Sequence, residues 1–256
     1  MMIAHHLDMS CAGNVDDLLR GLATKIREYS LGEVNNVDNF LIDLAAKMRY
    51  YYLAEAAINR KTADRFSPFK YINLDEEMSS CILADLFNPA GEHGQGRLFL
   101  DSFLKLCGRK DFLPGPTISV KCEARTYGIV NSRKRMDIEL KGQGRRSLAV
   151  ENKIWAEDGD QQVLEYLNHL KRTTDGFCLV YLAPEGRDIS EKSLPPLARE
   201  EFRDYFEPIA WQDLLKDLKQ CKEQVEAQKL RFFLDDFIRA MSIKLSTPLE
   251  EIIWLT

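Results

Sequence analysis

The order of the predicted secondary-structure elements in the middle of the chain constrains its fold more than any other feature. Apolar residues at helical spacing in LDEEMSSCILADLFNP predict a helix that stops at Asn88, because the residue before a proline disfavours the helical region. A Gly-rich loop and a short helix, RLFLDSFLKLC, follow. The next segments predict three strands, a helix and a further strand: TISVKCEAR, RMDIEL, SLAVENKIW, GDQQVLEYLNHLKR and GFCLVYLAP. The order is therefore helix, three strands, helix, strand.

The segments on either side of this region are mainly helical. The first third predicts helices in VDDLLRGLATKIREY and in NVDNFLIDLAAKMRYYYLAEAAINRK, the second with Asn36 or Asp38 as its N-cap. The last third predicts a short strand entering a helix in EPIAWQDLLKDLKQC and a long amphipathic helix in QVEAQKLRFFLDDFIRAMSIKL. Since no linker rich in Pro, Gly or Ser cuts the chain, we predict one domain over residues 1–256, with a helical extension (1–73), a core (74–183) and a C-terminal helical part (184–256).

Two of the predicted strands carry charged side chains that can meet. Because alternate side chains of a strand share a face, Glu151 and Lys153 of LAVENKI point to one side, and their largely apolar neighbours point to the other. Asp137 and Glu139 of MDIEL share a face in the same way. If KGQGRR is a Gly-containing hairpin loop that pairs the two strands, Asp137 comes beside Glu151.

Such a pair of carboxylates indicates a metal site. Two converging carboxylates repel each other, and a hard divalent cation between them removes the repulsion; oxygen ligands suit Mg²⁺ or Mn²⁺. One or two such ions can activate a water molecule and stabilise the charge that develops in phosphodiester hydrolysis. A neighbouring lysine can orient that water and contact the phosphate. We therefore predict that Asp137, Glu151 and Lys153 are catalytic residues.

The E-x-K spacing by itself is not specific. Glu139 and Lys141 also match it, and Asp217 and Lys219 match the D-x-K form within an amphipathic helix. The match at Glu151 differs because it lies in an apolar strand, follows an Asp-bearing strand and precedes a helix with Gln and Tyr. One alternative stays open: Glu151 and Lys153 form a cross-strand salt bridge with Asp137 on an exposed sheet face and have no catalytic role.

Charge is distributed unevenly along the chain. The net charge is −5, yet residues 121–146 carry +5 and the remainder −10. A local basic surface on an acidic protein can hold a polyanion, so the basic residues of this segment are candidates for nucleic-acid binding. The candidates are Arg133, Lys134, Arg135, Arg145 and Arg146. The alternative is that they only lie in solvated hairpin loops.

The sequence also bears on the compartment. No run approaches the ~18 apolar residues that span a bilayer, and no basic region followed by an apolar one marks a secretory signal. The six cysteines, at positions 11, 81, 107, 122, 178 and 221, form no C-x-x-C pair and lie mostly among apolar neighbours. We interpret them as free buried thiols, which fits a reducing cytoplasm. The lack of a long apolar run predicts that the protein has no membrane partner.

RMDIEL followed by SLAVENKIWAEDGDQQVLEYL resembles the PD-(D/E)XK, or restriction-endonuclease-like, nuclease superfamily. More narrowly, the chain is similar to a group of mostly uncharacterised bacterial members, in which a helix precedes a Pro-Gly-His-Gly loop and an E-N-K strand is trailed by Gln and Tyr. The similarity covers residues 74–183, although Met136 stands where the superfamily usually has Pro. The resemblance implies an α/β fold with an αβββαβ core, in which helices flank a mixed central sheet, and with N- and C-terminal helical extensions.

The resemblance also implies roles for individual residues. Asp137 and Glu151 would be metal ligands, joined by the backbone carbonyl of Asn152, and Lys153 would be the catalytic lysine. Gln162 and Tyr166, four residues apart on one helix face, would border the active site. The alternative for this pair is an ordinary polar residue and a half-buried tyrosine.

Two further candidates lie before the strands. Glu76 or Glu77 would add a carboxylate from the N-terminal helix, and the alignment of the motif favours Glu76. His93 would contact the substrate or the scissile phosphate, although a lone histidine in a loop is more often structural.

These observations predict a Mg²⁺- or Mn²⁺-dependent nuclease that acts on DNA, in restriction, repair or defence against phage. Superfamily members often form dimers that cut two strands, so a homodimer is compatible with this prediction. One alternative is a nucleic-acid-binding or assembly protein that keeps the fold but does not cut. Another is an acidic helical protein whose C-terminal helix docks a partner.

Overall fold

The computed structural model of the protein describes residues 15–63, 66–125 and 135–246. The chain forms two compact units, Met1–Phe66 and Ser67–Thr256. Within the described ranges, no helix is long and apolar enough to cross a membrane.

The first unit contains one long helix, α1 (Val15–Thr62), of 48 residues. The prediction of a second helix capped by Asn36 or Asp38 is wrong, because α1 runs through both residues. The physical reason is that this segment has no proline, which costs a helix about 3 kcal/mol, whereas Gly32 costs only about 1 kcal/mol.

The second unit contains all the strands of the described chain and the remaining helices. In chain order, the elements are a single 3₁₀ turn (Pro68–Lys70), α2 (Glu76–Leu86), α3 (Leu98–Leu106), β1 (Ser119–Arg125), β2 (Arg135–Lys141), β3 (Arg146–Asn152), α4 (Gln162–Thr173), β4 (Gly176–Ala183), α5 (Pro196–Glu201), a second 3₁₀ turn (Arg203–Tyr205), β5 (Phe206–Ala210), α6 (Trp211–Gln224) and α7 (Gln228–Ser246). This order confirms the predicted helix, three strands, helix, strand, and also the short strand that leads directly into α6.

The five strands form one mixed sheet in the order β1-β2-β3-β4-β5. The first three are antiparallel neighbours, whereas β3, β4 and β5 run parallel. A parallel pair needs a long crossover, and α4 provides it between β3 and β4. The α/β fold with a mixed sheet flanked by helices is therefore confirmed.

Helices cover both faces of the sheet. One face, which includes Val150 and Leu182, packs in a large core with apolar residues of α2, α3, α6 and α7. The other face, which includes Ala149 and Leu179, packs against Val163 and other residues of α4. The strands are therefore apolar on both sides, as expected for the parallel part of a sheet. A charged residue in this region must find partners within the protein.

The interpretation of all six cysteines as free thiols is wrong for two of them. Cys81 of α2 and Cys122 of β1 form a disulfide, because the packing of the helix on the strand brings their Cα atoms to 5.5 Å. Cys107, Cys178 and Cys221 are buried and free, whereas Cys11 lies outside the described residues. Burial raises the pKa of the Cys178 thiol to about 11, so this thiol is unreactive at neutral pH.

Candidate active site

The centre of the candidate site is the end of β3, a strand buried on both faces. Glu151 and the next alternate residue, Lys153, point to the same face and are 1% and 7% exposed. The Lys153 ammonium lies 3.0 Å from Oε1 of Glu151. The two side chains therefore share a face, as strand alternation predicts, and their ion pair is buried and does not lie on an exposed sheet face.

The hairpin between β2 and β3 brings Asp137 to the same place. Glu139 pairs with Ala149 in the antiparallel register, which puts Asp137 opposite Glu151 when the register is continued. The backbone N–H of Asn152 donates a hydrogen bond of 2.7 Å to Oδ2 of Asp137. The predicted convergence of the two carboxylates thus follows from strand pairing.

The two oxygens of the Glu151 carboxylate have different surroundings. Oε1 accepts a hydrogen bond of 2.6 Å from the Gln162 side chain in addition to its contact with Lys153. Oε2 is buried and has no hydrogen-bond partner among the described residues. Burial raises the pKa of Glu151 well above its ordinary value, and the charge of Asp137 raises it further.

Lys153 stays a cation in this environment. Burial by itself would lower the pKa of its ammonium group, but the attraction of Glu151 and Asp137 outweighs burial, and the pKa is raised. A charged lysine in this place can hold a negatively charged group.

The first turns of α4 complete this side of the site. Gln162 accepts a hydrogen bond of 2.9 Å from the N–H of Gly159 through its Oε1, which orients its amide nitrogen towards Glu151. That nitrogen lies 3.2 Å from the hydroxyl of Tyr166, and the hydroxyl donates a 2.6 Å hydrogen bond to the carbonyl of Arg135. The structure therefore brings both predicted residues of α4 to the end of β3.

The N-terminus of α2 borders the site from the other face of the sheet. Asp75 caps the helix by accepting a hydrogen bond from the N–H of Met78. Oε1 of Glu76 accepts hydrogen bonds of 2.7–3.0 Å from three successive backbone N–H groups, in residues 154–156. Glu77 is exposed, so Glu76 is the carboxylate that holds the segment after Lys153.

A cleft with a volume of about 350 Å³ opens at this point, and its lining is mostly acidic: Asp75, Glu76, Glu77, Ser80 and Asp137. Within residues 15–63, 66–125 and 135–246, no group of three or more His, Cys, Asp or Glu side chains is arranged to hold a metal ion. The ligands that the sequence resemblance implies, the carboxylates of Asp137 and Glu151 and the backbone carbonyl of Asn152, are all oxygen donors, and the two carboxylates lie on adjacent strands. The unsatisfied Oε2 of Glu151 and the all-oxygen donor set fit Mg²⁺ or Mn²⁺.

The competing E-x-K match has partners of its own. Oε2 of Glu139 pairs with Lys141 at 3.0 Å, and its Oε1 accepts a hydrogen bond from the Ser147 hydroxyl. Oδ1 of Asp217, of the D-x-K match in α6, accepts a hydrogen bond from Ser102 of α3. Its Oδ2 is buried without a hydrogen-bond partner among the described residues, as Oε2 of Glu151 is, but Asp217 lies on a helix and not on a strand paired with that of Asp137. The Glu139 carboxylate has both oxygens occupied, unlike that of Glu151.

His93 lies in a tight loop of its own. Its Nδ1 accepts a hydrogen bond from the N–H of Gln95, so its Nε2 carries the proton and donates to the carbonyl of Asn88. The ring lines a groove with a volume of about 550 Å³ beside α2 and α7, and this groove shares no lining residue with the acidic cleft.

The basic candidates lie at several places. Arg146 is the first residue of β3 and Arg145 lies in the turn before it, at the opposite end from Glu151. They donate hydrogen bonds to the carbonyls of Phe112 and Thr173, respectively. Arg135 is the first residue of β2, two positions from Asp137. Arg133 and Lys134 lie outside the described residues.

The role of the Asn152 side chain was not predicted from the sequence. This side chain points to the apolar face of β3, where its amide nitrogen lies within 3.0 Å of the hydroxyls of Ser79 and Ser80. Its Oδ1 accepts a hydrogen bond of 2.9 Å from the indole of Trp211. A signal was available, because a polar residue on an apolar strand face must find buried partners, and two adjacent serines in a helix offer them.

Comparison with known proteins agrees with this geometry. The sequence model of the PD-(D/E)XK nuclease superfamily matches residues 66–239, which is more than half of the chain and includes the whole sheet. No curated protein matches the chain. With the converging Asp137, Glu151 and Lys153 on the mixed sheet, this match shows that the chain belongs to the PD-(D/E)XK nuclease superfamily.

Proposed function

We propose that the protein is a metal-dependent nuclease that hydrolyses phosphodiester bonds in DNA, with Mg²⁺ or Mn²⁺ as its cofactor. One observation carries the proposal: the buried carboxylate of Glu151 has one oxygen held by Lys153 and Gln162 and the other without a partner, beside Asp137. A buried charged oxygen of this kind is costly unless a ligand satisfies it. A divalent cation is the ligand that suits it best.

The residues of the site would divide the work between them. Asp137, Glu151 and the carbonyl of Asn152 would hold the cation, which supplies an activated water and stabilises negative charge. Lys153 would contact the phosphate and orient the attacking water, since its raised pKa keeps it charged. Gln162 would keep Glu151 oriented, and Tyr166 would tie α4 to the start of β2.

The nature of the substrate rests on charge. The segment 121–146 carries +5 in a chain of −5, and its basic residue at the beginning of β2, Arg135, lies two positions before Asp137. A basic segment beside an acidic, metal-binding cleft suits a polyanion whose phosphate must enter that cleft. We propose DNA as this polyanion, and a role in restriction, repair or defence against phage, in the cytoplasm and compatible with a homodimer.

A cleavage assay tests the proposal directly. The purified protein is incubated with supercoiled DNA, linear DNA, single-stranded DNA and RNA, each with Mg²⁺, Mn²⁺ or EDTA. We expect cleavage of at least one DNA substrate that needs the metal and is absent in Glu151→Gln. Retention of DNA without cleavage under any of these conditions would indicate the alternative, a binding or assembly protein on the same fold. Cleavage of RNA alone would keep the chemistry and correct the substrate.

A further inference from the structure

A buried polar network lies on the face of β3 opposite the side chains of Glu151 and Lys153, and two of its members, Glu76 and Ser80, also line the acidic cleft. Its centre is the side chain of Asn152, which is 1% exposed. The amide nitrogen of Asn152 lies 3.0 Å from the carbonyl of Glu76 and 2.9 and 3.0 Å from the hydroxyls of Ser79 and Ser80. All three acceptors belong to the first turns of α2, so one side chain joins this helix to the end of β3.

Trp211 determines which way the Asn152 amide points. An indole N–H can only donate, so the atom 2.9 Å from it must be the amide oxygen of Asn152. The amide nitrogen is thereby directed at α2, where it meets acceptors. Trp211 is the first residue of α6 and is fully buried. The network therefore joins three elements, β3, α2 and α6, through the Asn152 side chain, which makes hydrogen bonds to both helices.

The network is connected to the site through the backbone on either side of Asn152. Its N–H holds Asp137, and its neighbours in the sequence are Glu151 and Lys153. In return, the Glu76 side chain holds the N–H groups of residues 154–156. The first turn of α2 thus contacts the chain both at Asn152 and directly after Lys153, and the N–H of Lys153 itself donates a hydrogen bond of 2.8 Å to the carbonyl of Leu182 in β4. These contacts together fix where the Lys153 backbone lies.

We propose that Asn152, through its side chain, and Trp211 are positioning residues of the active site: they hold the first turn of α2 against the end of β3, so that Glu76 fixes the segment after Lys153. This inference rests on the proposed nuclease function and adds to it a second role for the asparagine of the E-N-K motif. The side chain acts on the face opposite the metal, whereas the backbone of the same residue contributes to the site. Loss of the Trp211 hydrogen bond would release the amide to rotate and would leave a buried acceptor unpaired.

The test uses Trp211→Phe in the full chain, because phenylalanine keeps most of the aromatic packing and removes the donor. Ser102→Ala is the matched control: it also removes one partly buried hydrogen bond made to α6, at Asp217, but it lies outside the network. A further network variant, Ser80→Ala, removes one of the three acceptors of the Asn152 amide and keeps the core. All three variants are measured for melting temperature, for kcat and KM of DNA cleavage, and for Mn²⁺ affinity by calorimetry.

We expect Trp211→Phe to lower kcat about tenfold, the effect of one buried hydrogen bond on a transition state, and to leave KM nearly unchanged. We also expect its Mn²⁺ affinity to fall, with a smaller loss of both quantities in Ser80→Ala. Ser102→Ala should lower the melting temperature and leave kcat and Mn²⁺ affinity as in wild type.

Two results would overturn the inference alone, with the wild type active and binding Mn²⁺. In the first, Trp211→Phe or, if that variant does not fold, Ser80→Ala retains wild-type kcat and Mn²⁺ affinity. In the second, Ser102→Ala loses as much of both quantities as the network variants, so that the loss reflects general destabilisation. A wild-type protein that neither cleaves nucleic acid nor binds Mn²⁺ would overturn the proposed function, and this inference with it.

Discussion

The amide nitrogen of Gln162 lies 2.6 Å from Oε1 of Glu151 and joins the first turn of α4 to the end of β3. The same oxygen contacts the Lys153 ammonium at 3.0 Å, so two donors hold one oxygen of this carboxylate. Their combined effect is to fix the orientation of the whole group. The second oxygen, which has no partner among the described residues, is then the one available to a cation.

This relationship predicts the effect of Gln162→Met, which keeps the length of the side chain and removes the amide. We expect kcat for DNA cleavage to fall about tenfold, because one charge-assisted hydrogen bond is removed and Glu151 is less well oriented. Asn168→Ala is a suitable control, since Asn168 is exposed on the same helix. Equal activity of the two variants in a steady-state assay would show that the Gln162 contact has no part in catalysis.

Asp137→Asn and Glu151→Gln should each lower kcat for metal-dependent cleavage about a thousandfold or more. The physical reason is that a bound metal contributes several kcal/mol to such reactions. Both variants should fold, and calorimetric titration should show weaker Mn²⁺ binding than in wild type. Glu139→Gln is the control, since it removes a buried carboxylate from the same face of β2. Mn²⁺ binding in Glu151→Gln as tight as in wild type would contradict the assignment of the metal ligands.

The two E-x-K lysines can be compared directly. Lys153→Met should cost much more activity than Lys141→Met, because Lys153 is buried against Glu151 while Lys141 is 52% exposed at the end of β2 beside the hairpin loop. The DNA concentration dependence of the rate separates the effects on kcat and KM. Similar losses in both variants would mean that the wrong strand has been chosen.

Much of this arrangement could be predicted from the sequence, because strand alternation and a short hairpin are local rules. The faces of Asp137, Glu151 and Lys153 follow from alternation, and the hairpin sets their register. The contact of Glu76 with residues 154–156 and the contact of Asn152 with Trp211 each join residues that lie 59 to 80 positions apart in the sequence. No local pattern specifies such contacts, since they depend on how helices pack on the sheet.

Two predictions from the sequence, the helix break near Asn36 and the free thiols of Cys81 and Cys122, were wrong because each relied on local sequence features alone. The break predicted near Asn36 relied on capping preference, yet a cap residue can also lie inside a helix at a modest cost. The disulfide between Cys81 and Cys122 joins residues of α2 and β1 that are 41 positions apart. Its existence depends on the packing of one helix against one strand, which cysteine spacing does not reveal.

The raised pKa of Glu151 predicts how stability depends on pH without metal. The Glu151 carboxyl binds its proton more tightly in the folded chain than in the unfolded chain, where its pKa is close to 4.5. The free energy of unfolding therefore falls as pH rises above about 4.5. Glu151→Gln has no proton to lose at this position. In EDTA, its melting temperature relative to wild type should therefore increase between about pH 5 and about pH 8. A difference that stays constant over this range would show that Glu151 titrates at its ordinary value.

The last prediction concerns the basic segment and the two ends of its strands. Arg133, Lys134 and Arg135 lie two to four positions before Asp137 in the sequence, whereas Arg146 begins β3 and Arg145 immediately precedes it, at the far end from Glu151. If the segment before Asp137 contacts the DNA backbone, reversal of its three charges to Glu should weaken binding and flatten the salt dependence of the binding constant.

The comparison variant reverses Arg145 and Arg146, which donate hydrogen bonds to backbone carbonyls within the fold. Binding of each variant to a labelled duplex is measured by fluorescence anisotropy at several salt concentrations, without Mg²⁺ so that no cleavage occurs. Each phosphate that a variant no longer neutralises should reduce the slope of log K against log salt by about 0.9. A smaller slope only for the first variant would locate the DNA at the Asp137 end of the sheet, and a smaller slope for both would extend the binding surface along the strands. Wild-type slopes in both variants would show that these five residues only lie in solvated loops and strand ends, and that the DNA reaches Glu151 by another surface.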